Sequence, residues 1–142
     1  MMKPEQAQLW AEMHMKHLEM LQGVITRMAG NSASLKNYCM TISAAIIGLA
    51  AAISRPEILY YTTPLIFIFG ILDGHYLRLE RAFRDQYNSV RRSGIKECPD
   101  FSISPSWTAG HGIFSGLFSW SVWLFYISLI VVFLVIAVLM PG

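Results

Sequence analysis

Two apolar stretches of equal length, residues 35–53 and 59–77, set the pattern of this chain. Each has 19 residues. As a helix that is about 28 Å at about 1.5 Å per residue, close to the ~30 Å of bilayer hydrocarbon. Ser54-Arg55-Pro56-Glu57-Ile58 separates them. Pro56 stands where neither helix continues, and Arg55 and Glu57 place polar atoms in a water-exposed turn. The pattern predicts an antiparallel hairpin of two transmembrane helices. A third stretch, 113–139, is uncharged over 27 residues and predicts a tilted third span with an interfacial start.

The segments outside these stretches follow a helical period. Trp10, Met13, His17, Leu21, Val24 and Met28 recur at spacings of three and four, so residues 4–30 predict an amphipathic helix. Glu5, Glu12, Lys16 and Glu19 fall on its polar side, with Glu12 and Lys16 ordered for an i,i+4 pair. Gly30-Asn31-Ser32 is expected to break or bend this helix before the first span. After the second span, Leu72, Tyr76, Leu79, Phe83, Tyr87 and Val90 keep the same spacing, so that span runs on into water to about residue 93. If the hairpin turns near Arg55 and Pro56, Met28 faces Phe83, Val24 faces Tyr87 and Leu21 faces Val90. Two apolar seams then meet, and the N-terminal helix packs on the extension of the second span. The alternative is a helix lying flat on the lipid, which its acidic polar face disfavours. Residues 94–112, with Pro99, Pro105, Gly110 and Gly112, read as a loop; Trp107 and His111 suit a membrane interface. The expected fold is therefore an all-α membrane protein of one domain with three transmembrane helices.

Composition sharpens the picture. The chain of 142 residues is 54% hydrophobic and 14% charged, and no Lys, Arg, Asp or Glu follows Asp100. A net charge of +2 gives no reason to expect sequence-specific nucleic-acid binding. Cys39 lies within an apolar stretch and Cys98 in a polar one, so no disulfide is expected between them. Charges scattered through the first 30 residues argue against a signal peptide. Of the 11 basic residues, all but Arg55 flank the spans on one side. Cytoplasmic loops carry that excess, which predicts an N-terminus inside and a C-terminus outside.

Candidate chemistry is sparse. Asp73 is the one acidic residue near hydrocarbon, where a carboxylate needs a partner or water. The facing rule brings Lys36 and His75 near it, and a structural Lys36–Asp73 pair is the leading reading; a proton or ion site is the alternative. Gly70 and Gly74 on the second span, and Ala44, Gly48 and Ala52 on the first, form small-residue faces that permit close helix approach within the hairpin or between copies. Ser115, Ser119 and Trp123 offer a further stripe on the third span. Arg78, Arg81, Arg84, Arg91 and Arg92 give the extended helix a basic face, read either as ordinary positive-inside charge or as a surface for anionic headgroups or an acidic cytoplasmic protein. His14 and His17 have ligand spacing but no further ligands, so no metal or cofactor is expected. GxSxG, HExxH, P-loop and GxGxxG motifs are missing, and no enzyme is expected.

LEMLQGVITRMAGNSASLK (18–36) and LDGHYLRLERAFRDQY (72–87) resemble small bacterial inner-membrane proteins. In plan the chain is similar to multi-span antiphage effectors, such as SLATT-type proteins and the membrane accessory proteins of RNA-targeting CRISPR systems, which implies a bacterial inner-membrane location with the N-terminus cytoplasmic and the C-terminus periplasmic. The resemblance implies a protein that oligomerises and compromises the membrane when a cytoplasmic sensor fires. The chain departs from some accessory proteins in having no Arg followed by His four to six residues on. The function expected is membrane perturbation or pore formation by a homo-oligomer in the lipid bilayer, coupled to a cytoplasmic protein partner. The alternatives are a membrane-anchored adaptor and a small ion transporter, the latter disfavoured by the few polar groups in the spans.

Overall fold

A computed structural model describes residues 4–94, 100–104 and 119–140 of the chain. Among the described residues there are three helices: α1 (Pro4–Ala52), α2 (Glu57–Ser93) and α3 (Trp120–Leu139). All three are long and apolar enough to cross a membrane. At about 1.5 Å per residue they measure about 73, 55 and 30 Å, so α1 and α2 extend well beyond the bilayer as a two-helix stalk. The α3 helix has the length of the hydrocarbon alone.

The expected break at Gly30-Asn31-Ser32 does not occur, and the amphipathic segment and first span are one 49-residue helix. The buried positions of α1 explain why. His17, Cys39 and Ala50 are buried, as are Leu21, Ser32 and Ser43, and Ile25. Within each of the first two sets successive positions differ by 11 or 22, with Met28 filling the gap at the partly buried level. An 11-residue repeat corresponds to 3.67 residues per turn, near the helix's own 3.6, so one face stays inward over many turns with only slight right-handed drift. A break at Gly30 would put Ser32 and everything beyond it out of that register. Gly30 instead points to open space on the outer side. Its helix cost of roughly 1 kcal/mol is offset by the seam buried on both sides of it.

The turn is shorter than expected. Arg55 N–H donates to the Ala50 carbonyl at 3.0 Å and Ser54 N–H to Ala51 at 3.3 Å, the paired bonds of a Schellman cap. Ser54 takes the left-handed conformation (φ 53°) that this cap requires and that glycine usually fills. Pro56 then caps the start of α2. Pro64 lies inside α2 without ending it. Nearby, Thr62 and Thr63 hydroxyls donate to the carbonyls of Ile58 (2.7 Å) and Leu59 (3.1 Å), so neither is left bare in hydrocarbon.

Two apolar cores result. In the membrane region, Cys39 and Ala50 of α1, Leu59 and Ile66 of α2, and Val122, Tyr126, Leu129, Phe133 and Ala137 of α3 form one cluster. In the stalk, Leu21, Ile25 and Phe83 form a second, with Val24, Met28, Tyr87 and Val90 packed against it. The sequence pattern overlooked Ile25. Lys16 pairs with Glu19 at 3.0 Å, not with Glu12 as the helix spacing suggested.

In the third apolar run the described helix is α3. Ser119 is extended and α3 begins at Trp120, so Ser119 lies outside the helical stripe expected with Trp123; Ser115 and residues 113–118 fall outside the described residues, as do Trp107 and His111.

Candidate functional site: a buried ion pair where the stalk enters the membrane

Along α1 the polar residues Ser32 and Lys36 fall between the stalk core and the membrane core. Both turn inward because they continue the buried seam. Opposite them on α2, Asp73 is completely buried. Lys36 Nζ lies 2.5 Å from Asp73 Oδ2, and Ser32 Oγ donates to Asp73 Oδ1. Lys36 also donates to Ser32 Oγ at 3.1 Å, closing a three-residue network.

The third helix completes the wall. Tyr126 of α3 is buried, and its hydroxyl lies close to the Asp73 carboxylate without meeting hydrogen-bond geometry. Cys39, a free buried thiol, and Ser43 continue the polar face of α1 deeper into the bundle. The expected Lys36–Asp73 contact is therefore present. His75 is not part of it: its side chain points to the exposed side of α2 and meets Tyr76 edge-on at 6.3 Å. Ser32, read from the sequence as a helix breaker, is the partner that spacing alone missed. Its signal was its place eleven residues from both Leu21 and Ser43.

A lysine ammonium beside a carboxylate neutralises a charge that hydrocarbon would otherwise penalise by several kcal/mol. The Lys36 side chain remains 25% exposed, so its stem reaches inward from the interface, while Asp73 has no exposure at all. The network ties α1 to α2, with Tyr126 of α3 packed beside it. Among the described residues, no three His, Cys, Asp or Glu side chains converge as metal ligands.

The small-residue faces divide between two surroundings. Gly70 and Gly74 are buried inside the protomer; a Cβ on Gly70 would lie 3.3 Å from Tyr126 Cγ. They do not face lipid, as a role between copies would require. Ala44, Gly48 and Ala52 are exposed, and a Cβ on Gly48 would meet nothing within 4 Å.

The basic face is also divided. Arg81 donates to Ser119 Oγ at 2.9 Å and so holds the start of α3 against α2. Arg84 pairs with Glu80 at 2.5 Å. Arg78 is half-buried, and Arg91 and Arg92 are exposed at the end of α2. Nothing in the sequence pattern predicted a further contact higher on the stalk. There the Ser102 carbonyl accepts from Gln86 Nε2 at 2.6 Å and lies 3.1 Å from His17 Nε2, with the Phe101 ring 5.6 Å from the His17 ring. Residues 100–104 thus lie across both stalk helices. His17, expected on an apolar seam, is a buried hydrogen-bonding residue.

These are the features of a multi-pass membrane protein: the described residues form three helices and no strand, and each helix is long and apolar enough to cross a membrane. No family model, curated protein or solved structure matches the chain.

Proposed function

We propose that this chain is a non-enzymatic bacterial inner-membrane protein that self-associates and acts on the membrane itself, by perturbing it or by forming a pore between copies. The observation that carries this reading is the exposed Ala44, Gly48 and Ala52 stripe on α1, which the protomer leaves uncovered while it uses Gly70 and Gly74 internally. Small residues let helix backbones approach closely enough for van der Waals contact to accumulate in lipid, where little hydrophobic drive exists. The polar groups of the spans are turned inward against one another, so a conducting path belongs between copies rather than through one. The N-terminus and stalk lie in the cytoplasm, following the positive-inside excess, and the C-terminus lies in the periplasm. The resemblance to antiphage effectors makes phage defence the fitting context, with a cytoplasmic partner acting on the stalk.

A membrane-potential dye in cells expressing the full chain tests the reading. Depolarisation by the wild type and its loss in Gly48→Leu is the expected result. Depolarisation by a Gly48→Leu protein that runs as a monomer in mild detergent would remove self-association from the account.

A second reading, a membrane-anchored adaptor, is favoured by one observation: the stalk keeps Arg91 and Arg92 exposed at the end of α2, where an acidic partner protein could dock. In that case the wild type binds its partner and leaves the membrane potential intact.

A further inference from the structure

A groove of about 600 Å³ lies between α1 and α3 and opens toward lipid. Met40 forms its α1 wall, and Trp120, Leu124, Phe125, Ser128 and Val132 line the α3 side. No lining residue is charged. Two hydroxyl side chains line it, Ser121 beside Trp120 and Ser128, whose hydroxyl donates to the Leu124 carbonyl at 2.5 Å; the rest of the lining is apolar.

Its two ends differ. At the stalk end, Arg81 reaches Ser119, one residue before the lining begins at Trp120. On the opposite wall, Lys36 lies one helical turn before Met40, its side chain 25% exposed despite the bond to Asp73. Trp120 itself is 79% exposed, as suits an aromatic ring at headgroup depth. The other end, near Val132, has no cation.

We propose that this groove binds a phospholipid with an anionic headgroup, one acyl chain lying between α1 and α3 and the phosphate meeting Arg81 and Lys36. An apolar slot with cations at one end matches the polarity of such a lipid in both parts. A second copy of the chain fits less well. Near this level of the bundle its carboxylates are Asp73, fully buried against Lys36, Glu80, paired with Arg84, and Asp85, which is also engaged within the chain. A second copy therefore brings only carboxylates that already have partners to the cationic end. The inference requires only that the helices lie in a bilayer and is independent of how the protein acts on the membrane.

The test is native mass spectrometry of the full chain released from nanodiscs of equal phosphatidylglycerol and phosphatidylcholine. The wild type should retain phosphatidylglycerol preferentially, by roughly fivefold for each cation engaged. Arg81→Gln should lower that preference roughly fivefold and Arg81→Lys should restore it. Ser128→Trp, which fills the groove, should abolish retention of both lipids, whereas Ile127→Trp, on the neighbouring lipid-facing surface, should not. Wild-type retention of phosphatidylglycerol by Ser128→Trp overturns the proposal. So does an unchanged preference in Arg81→Gln. A Ser128→Trp protein that loses self-association yet keeps its lipid would make the groove an interface between copies, and would overturn it as well.

Discussion

The Tyr126 ring lies where a side chain on Gly70 would begin, 3.3 Å from the position a Cβ would take. This contact, more than the apolar character of α3, sets where the third span docks on the hairpin. A glycine at 70 lets the phenol ring lie against bare backbone and brings its hydroxyl to Asp73. Gly70→Ala should push the ring away by a few tenths of an ångström and destabilise the fold by about 1–3 kcal/mol, the usual range for overpacking. Thermal unfolding in mild detergent measures it; an unchanged midpoint would mean that the ring moves aside freely.

The same contact separates two substitutions that sequence alone treats as equivalent. Gly70→Leu should disrupt the protomer, because its side chain has no room beside Tyr126. Gly48→Leu should leave the protomer folded, because its side chain enters open space, and should reduce self-association. Size in mild detergent together with helicity distinguishes the two. A Gly48→Leu protein that unfolds would show that α1 has a hidden partner at that position.

Removing one member of the buried pair should cost more than removing both. Asp73→Asn leaves Lys36 without its counter-charge, and Lys36→Met leaves a bare carboxylate in the bundle. Each should destabilise by about 3–5 kcal/mol, with Lys36→Met the more damaging because Asp73 has no exposure at all. The double variant should recover part of that loss, since two apolar or neutral groups of similar size can replace a buried pair. A double-mutant cycle checks this, and strict additivity would show that the two side chains do not interact.

Ser54 pays for its left-handed backbone with a Cβ that glycine lacks. Ser54→Gly should therefore stabilise the hairpin by about 1 kcal/mol, less what the freer glycine loses on folding. Denaturation in detergent reads the sign directly, and a destabilised variant would contradict the Schellman geometry of the turn.

On the stalk, His17→Ala combined with Gln86→Ala should release residues 100–104, because both donors aimed at the Ser102 carbonyl are lost. Protease cleavage between 100 and 104 should rise several-fold over wild type. No change in cleavage would mean that Phe101 alone holds the segment in place.

Much of this architecture was legible in the order of residues because the forces that produce it are local or periodic. Runs of 19 apolar residues reach across hydrocarbon whatever they pack against, and Pro56 ends a helix through its own ring. The three-four spacing of Leu21, Val24 and Met28 against Phe83, Tyr87 and Val90 names two faces that lose free energy by leaving water, and one arithmetic rule for an antiparallel hairpin brings Lys36 toward Asp73. Three matters were decided only in the folded chain. Gly30-Asn31-Ser32 reads as a break from local preference, yet the 11-residue seam on both sides and the Ser32–Asp73 bond keep the helix continuous, since packing outweighs a propensity of about 1 kcal/mol. The glycines at 48 and 70 look alike in sequence, and only the docking of α3 places one against Tyr126 and leaves the other open. His17 and Ser102 are 85 residues apart, joined by a contact whose geometry depends on where α2 ends and how the chain returns. Local spacing determines which faces seek burial; the choice of neighbour for each face belongs to the tertiary structure, because it depends on how three helices share a limited buried surface.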